Sequence, residues 1–383
     1  MKKCLSYKSY NDNYKILCES IVYNDGLLCG MSLCYGNSIY SQCDCFGSID
    51  KSCAQLDYDT LIDIASVTKL FTTIVMMHLV EDNIINPDNT VGIYSEKFEN
   101  LSNVRIGDIL SYRELLKTDE RITDNDDVNV LRNAVYNIKT KHSYQQIYSD
   151  IPTLFLGFFI EEVTGKSLSN WIMNLIVEPL GLKRICFNRT EDLNIMDYSG
   201  EMNLIDDKLC KVDNEKGIVH DPKARAFARH NIFCGHAGIL ISTKEITKVF
   251  QALLSNKIVK KETIYRFIEG DGWIEDNDRQ SFGYLCYRKF SNKRQSEIYE
   301  GMSKYSMAYT GFTGTYACLD FENSCFIFIG GNRVNNRITR IVNCKKKYGN
   351  KILIDGQEYI NSSKYVYEKD ILRDELSRMA LDL

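Results

Sequence analysis

Asp63-Ile64-Ala65-Ser66-Val67-Thr68-Lys69 runs directly into the apolar stretch Leu70 to Val80, LFTTIVMMHLV. A segment that is hydrophobic on nearly every face belongs to a helix passing through a core. Ser66 stands where polar sequence gives way to it, and is read as a nucleophile at the mouth of a buried helix. Ser66 and Lys69 are three apart, so on that helix they share a face one turn from each other. A serine hydroxyl is a weak nucleophile at neutral pH and needs a neighbour to take its proton. A lysine whose proton is loosened by burial can do so, or can hold another base in place. The free N–H groups of the helix N-terminus offer a site for a developing oxyanion. Ser-x-x-Lys alone occurs by chance about once or twice in a chain of this length, so its weight comes from partners elsewhere.

Composition narrows the classes. A chain of 383 residues can bury a large core. With 44% hydrophobic and 26% charged residues it reads as an ordinary globular protein. A net charge of −4 with no basic block argues against nucleic acid as a partner. MKKCLSYKSYNDNYKILCES has lysines but no apolar run behind them, so no secretory signal is expected. No run reaches the roughly 18 apolar residues that span a bilayer, so no membrane partner is expected. The fourteen cysteines then read as reduced thiols of a cytoplasmic protein. Cys29, Cys34 and Cys43 read as strand packing residues. Without Cys-x-x-Cys, and with five histidines at no ligand spacing, neither metal nor other cofactor is expected.

Outward from the nucleophile helix (about 66–82), a first helix is expected over 10–25. Strands follow at Leu27–Cys34 and Ser38–Cys45, turning at Tyr35-Gly36-Asn37. From about 84 to 240 helices dominate: Val104–Tyr112, Val128–Ile138, Ile151–Thr164 closed by Gly165, and Ser167–Ile176. Ser242-Thr243 caps a helix over 244–256. Beyond 280 the period shifts to two, giving strands Phe282–Tyr287, Tyr305–Thr310, Thr315–Asp320 and Cys325–Gly330. Lys345–Ser363 reads as a polar insertion and 367–381 as a last helix. The expected fold is α/β (α+β): an antiparallel sheet built from both ends of the chain and flanked by helices. It would be a single domain over 1–383, with an α/β part (about 1–83 and 241–383) and an inserted, mostly helical part (about 84–240).

Three further stretches complete the pattern: Tyr148-Ser149-Asp150; Val219-His220-Asp221-Pro222-Lys223-Ala224-Arg225-Ala226-Phe227 with Gly235-His236-Ala237-Gly238; and Tyr309-Thr310-Gly311-Phe312-Thr313-Gly314-Thr315. Together with IASVTKLFTT they resemble, in order from about residue 15 to 340, the serine beta-lactamase and penicillin-binding protein superfamily. Within it the likeness is to the class C-like branch of beta-lactamase-related hydrolases. The resemblance implies that Ser66 attacks a carbonyl and becomes an acyl-enzyme. Lys69 would hold Tyr148 acidic or share its proton, since a phenol near pKa 10 is no base at neutral pH unless its anion is stabilised. Tyr148 would then be base in acylation and acid toward the leaving group. The N–H groups of Ser66 and Phe312 would form the oxyanion hole, and Tyr309, Thr310 and Gly311 the strand along which substrate lies. Asp150, where lactamases usually have Asn, would touch substrate or Lys69. His236 reads as a packed loop residue between turn glycines Gly235 and Gly238, and His220-Asp221 as a brace outside the active site.

Two departures bear on specificity. Tyr309 replaces the Lys or His of the third motif, removing a partner for a substrate carboxylate, with Arg113 or Arg333 as substitutes. Leu110-Ser111-Tyr112-Arg113-Glu114 replaces the relatives' His-Thr-Ser-Gly loop. A serine hydrolase acting on an ester or amide of a small-molecule or peptide substrate is therefore favoured. The alternatives are a beta-lactamase or D-Ala-D-Ala-type peptidase, and a non-catalytic ligand-binding homologue. The oligomeric state is left open.

Overall fold

The computed structural model describes residues 13–50, 53–272, 281–290 and 297–383. Its centre is a six-stranded antiparallel sheet in the spatial order Ser41–Gly47, Gly30–Asn37, Cys325–Gly331, Thr315–Asp320, Ser306–Gly311, Tyr287–Arg288. The two ends of the chain meet in it, Met31 opposite Gly331 and Leu33 opposite Ile329. Cys325–Gly331 is buried at every position, as is Thr315–Asp320. Continuous apolar runs of this kind belong to strands covered on both faces. Helix Thr243–Leu254 covers one face, with Phe250 against Phe326 and Phe328 and Thr243 bonded to Ser32. The first helix, Asn13–Glu19, and the last, Tyr365–Leu381, cover the other: Tyr14 packs edge-on against Tyr35.

The expected first helix begins outside the described residues at 10–12; from Asn13 it is α-helical and from Ser20 to Asn24 a π turn. The expected turn at Tyr35-Gly36-Asn37 is corrected. The strand continues through Asn37, and the reversal falls at Ser38–Tyr40. There the Asn37 side chain accepts the N–H groups of Ile39 and Tyr40. Gly36 lies within the pairing, where a Cβ would meet the Tyr40 carbonyl at 2.3 Å.

Helix Ile151–Thr164 occupies the span expected, ending on Gly165 at φ +68°. The stretch expected to be helical also holds strands Ile185–Phe187, Met202–Ile205 and Lys208–Lys211. Ile185–Phe187 joins Leu61–Asp63 and Ile239–Ser242 in a three-stranded sheet that leads into the turn carrying Ser66. Met202–Ile205 and Lys208–Lys211 join Arg337–Val342, Lys351–Ile354 and Gln357–Asn361 in a five-stranded sheet with a small core of Met202, Leu204, Ile338 and Ile352. The Lys345–Ser363 insertion is thus in good part a hairpin. A helix over Lys261–Glu269 was also not anticipated. No helix among the described residues is long and apolar enough to cross a membrane.

Candidate active site

Strand Leu61–Asp63 delivers the chain into a tight turn. Ala65 adopts φ +46°, a left-handed conformation that residues with a Cβ seldom take. Asp63 holds it there: one carboxylate oxygen accepts the Ala65 N–H at 2.8 Å, the other the His220 N–H at 2.7 Å. Asp63 is fully buried, which raises its carboxyl above the usual range. A 3₁₀ turn over Ala65–Thr68 then carries Ser66 to the start of helix Lys69–Glu81.

The end of strand Ser306–Gly311 and the turn after it close on this segment. Thr313 and Thr315 hydroxyls donate to the carbonyls of Asp63 and Ile64, both at 2.9 Å. Gly311 is required here, because a Cβ would lie 1.9 Å from the Thr315 hydroxyl and 2.8 Å from the Ile64 carbonyl.

Lys69 is 1% exposed, and its ammonium spends its three N–H donors on three acceptors: Ser66 Oγ at 2.8 Å, Asp150 Oδ1 at 2.9 Å and the His236 carbonyl at 3.1 Å. Burial alone would loosen its proton, but the Asp150 carboxylate and Tyr148 outweigh burial and hold it above the usual lysine range. Asp150 is correspondingly pulled well below the usual carboxylate range: burial opposes this, and Lys69, His236 and Lys223 prevail. Its second oxygen lies 3.0 Å from Lys223 Nζ.

Tyr148 stacks on a pair of aromatic rings, 5.8 Å from Tyr287 and 6.1 Å from Phe282, with the Lys69 ammonium 5.1 Å from its ring centroid. Ser66, Lys69, Tyr148, Tyr309 and Thr310 line one narrow crevice. This opens onto a cleft of about 780 Å³ bordered by Ser66, Tyr148, Asp150, Thr310, Gly311 and Phe312. Residues far apart in sequence are thus brought to one place.

The structure modifies several expectations. Tyr309 is 3% exposed, and its hydroxyl donates to Thr73 on the nucleophile helix. It reaches the narrow crevice beside Ser66 and is not among the residues bordering the wider cleft, as Thr310, Gly311 and Phe312 are. Asp150 meets Lys69, the second of its two expected roles. Arg113 points to Asp271 and does not border the cleft. Arg333 does border it, and so does Arg340, which was not anticipated. Their guanidinium carbons lie 4.6 and 5.0 Å from the Phe312 ring centroid. Among the described residues no ion pair joins either one, and burial lowers the pKa of Arg333.

The His220-Asp221 pair, expected to be a brace, also faces the site. The His220 ring stacks on Phe312 at 5.5 Å and bonds Glu201 at 2.6 Å. Asp221 caps helix Pro222–Ala228 and accepts from His236 Nε2 at 2.9 Å. His236 is completely buried; burial would lower it, but Cys234 and Asp221 push it up to about 10. Asp108, Glu114 and His142, unlinked by any sequence spacing, gather within 4.8 Å of one another. Arg105 holds Asp108 and Thr140 holds Glu114, and none of the three lines the cleft.

A sequence model of the Beta-lactamase family matches residues 46–355, a span that contains every one of these cleft residues. The chain belongs to the beta-lactamase family. It is a beta-lactamase-related serine hydrolase of mixed helices and mainly antiparallel sheets. An Escherichia coli (strain K12) protein whose name assigns it, provisionally, as a D-alanyl-D-alanine carboxypeptidase is 25% identical over 317 residues, covering 73% of this chain and 70% of its own. Among solved structures the fold is similar to EstCE1, described as a hydrolase with promiscuous acyltransferase activity: TM-score 0.68, 14% identity, 96% of this chain and 98% of that one. The D-amino acid amidase of Ochrobactrum anthropi SV3, complexed with L-phenylalanine amide, aligns at TM-score 0.65 with 15% identity, over 97% and 99%. Unliganded simvastatin synthase of Aspergillus terreus aligns at TM-score 0.67 with 13% identity, over 98% of both chains.

Proposed function

We propose that this hydrolase cleaves an ester or amide through an acyl-enzyme on Ser66. The observation that carries the reading is the threefold saturation of the Lys69 ammonium by Ser66 Oγ, Asp150 and the His236 carbonyl. A lysine so placed keeps its proton, and its role is to fix Ser66 and to stabilise negative charge on the adjacent phenol. Tyr148 is then the base: it takes the Ser66 proton as Oγ attacks the substrate carbonyl and gives it to the leaving oxygen or nitrogen. The N–H groups of Ser66 and Phe312 receive the developing oxyanion. Water enters by the reverse sequence, with Tyr148 again taking a proton, and frees Ser66. A fluorophosphonate should label the protein at Ser66, and p-nitrophenyl esters should be turned over. Absence of both in the native chain, with intact ligand binding, would point to a non-catalytic homologue.

Arg333 and Arg340 favour a particular substrate within this class. Among the described residues no carboxylate lies within ion-pair distance of either guanidinium group, and Glu201 of the same cleft acts on both only at longer range, so this wall suits a substrate that carries an anion. This supports a peptidase-like reading, with D-alanyl-D-alanine peptides as the first compounds to assay and nitrocefin as the test for beta-lactam turnover. A cytoplasmic setting fits the free thiols of the described cysteines, and cell fractionation tests it.

A further inference from the structure

Lys223 is the second residue of helix Pro222–Ala228, where a cation opposes the positive end of the helix dipole. It is also partly buried, its side chain 26% exposed. A residue that violates its local rule in this way is held by something outside its own helix. What holds it is a run of alternating charge that the backbone carbonyl of His236 closes onto Lys69. Lys69 Nζ meets Asp150 Oδ1 at 2.9 Å, Asp150 Oδ2 meets Lys223 Nζ at 3.0 Å, and Lys223 lies 3.7 Å from Asp221 Oδ2. Asp221 Oδ1 accepts from His236 Nε2 at 2.9 Å, and the His236 carbonyl returns to Lys69 at 3.1 Å.

We propose that Lys223 is a positioning residue for acyl transfer: by occupying the outer oxygen of Asp150 it leaves the inner oxygen alone for Lys69 and fixes that ammonium against Ser66. This rests on the acyl-enzyme reading above. Without Lys223, Asp150 is free to take Lys69 with both oxygens and draw it away from Ser66. The charged and titratable groups around Lys69 are Asp150 and Tyr148 from the segment before helix Ile151–Thr164, His236 from its loop, and the phenols of Tyr112, Tyr287 and Tyr309, which line the same crevice. Lys223 and Asp221 stand behind them. Removing one cation from this set makes every remaining proton harder to lose.

The test compares Lys223→Gln, Lys223→Arg and the double variant Asp150→Asn/Lys223→Gln on a neutral p-nitrophenyl ester, alongside fluorophosphonate labelling of the native enzyme. Lys223→Gln should lower kcat about tenfold with KM within about twofold, and move the acidic limb of the kcat/KM profile to higher pH. Lys223→Arg should restore both, and the double variant should move the limb back toward lower pH. An unchanged kcat and pH profile in Lys223→Gln would overturn the proposal. So would a loss that follows thermal stability alone and is not restored by arginine. If the native enzyme is neither labelled nor active, the acyl-enzyme reading fails, and this inference goes with it. Native activity with an indifferent Lys223 sinks the inference alone.

Discussion

The two walls of the cleft are built on opposite plans. On one, Lys69, Asp150, Lys223, Asp221 and His236 satisfy one another in a circuit buried at Lys69 and His236, with Ser66 as its outlet. On the other, Phe312 lies against His220, Arg333 and Arg340, and the two arginines have no acidic partner within ion-pair distance among the described residues. A saturated circuit is rigid and suits chemistry, whose geometry must be in place before substrate arrives. Unpartnered cations on an aromatic plate suit recognition, because the missing acceptor can come from the substrate.

The sharpest way to break this contrast is Ser66→Ala. It should abolish fluorophosphonate labelling and reduce ester turnover by about 10³-fold or more, read by mass spectrometry and steady-state rates. Lys69→Met comes next: turnover should fall by about 10²-fold or more. Urea denaturation should also show a loss of about 3 kcal/mol, because a buried ion pair loses one member. Arg333→Ala and Arg340→Ala should act differently. Each should raise KM about tenfold for a carboxylate-bearing peptide, with kcat and neutral-ester rates nearly unchanged. Equal losses on charged and neutral substrates would erase the distinction between the walls.

The smallest effect concerns pH. His236 binds its proton more tightly folded than unfolded, its pKa rising from 6.5 to about 10. Its contribution to stability is therefore complete below about pH 6.5 and declines as pH rises toward 10. Thermal melts should show this decline, and His236→Gln should flatten it. Asp150 and Asp221 shift the opposite way, so their contribution is present at neutral pH and is lost only in strong acid.

The elements legible in the sequence are those whose signals are local. Ile151–Thr164 is apolar at every position from Leu154 to Ile160 and ends on a left-handed glycine, and Lys69–Glu81 is nearly all core. Ser66, Lys69, Tyr148 and Asp150 were also visible, because their types and order make a pattern. The five-stranded sheet was not. Met202–Ile205 and Arg337–Val342 pair in parallel across more than a hundred residues, and nothing local to either announces the other. One cue was present and unread: Asp355-Gly356, both at positive φ, is the two-residue turn of a hairpin. Tyr309 was assigned to the substrate by motif position; its hydroxyl bonds Thr73, and it reaches the narrow crevice beside Ser66 and not the wider cleft. Lys223 and Arg340 escaped because a charge gains its meaning from the partner it is folded against, or from lacking one.

The pairing of Met31 with Gly331 reaches into the biogenesis of the protein. During synthesis Gly30–Asn37 leaves the ribosome about 300 residues before the strand that will lie beside it, a delay of about 15 s or more at ordinary elongation rates. Until then one side of that strand offers bare amides and carbonyls to any passing edge. Nascent chains should therefore need shielding by a chaperone, and acquire hydrolase activity only late, when the second half of the sheet slots in.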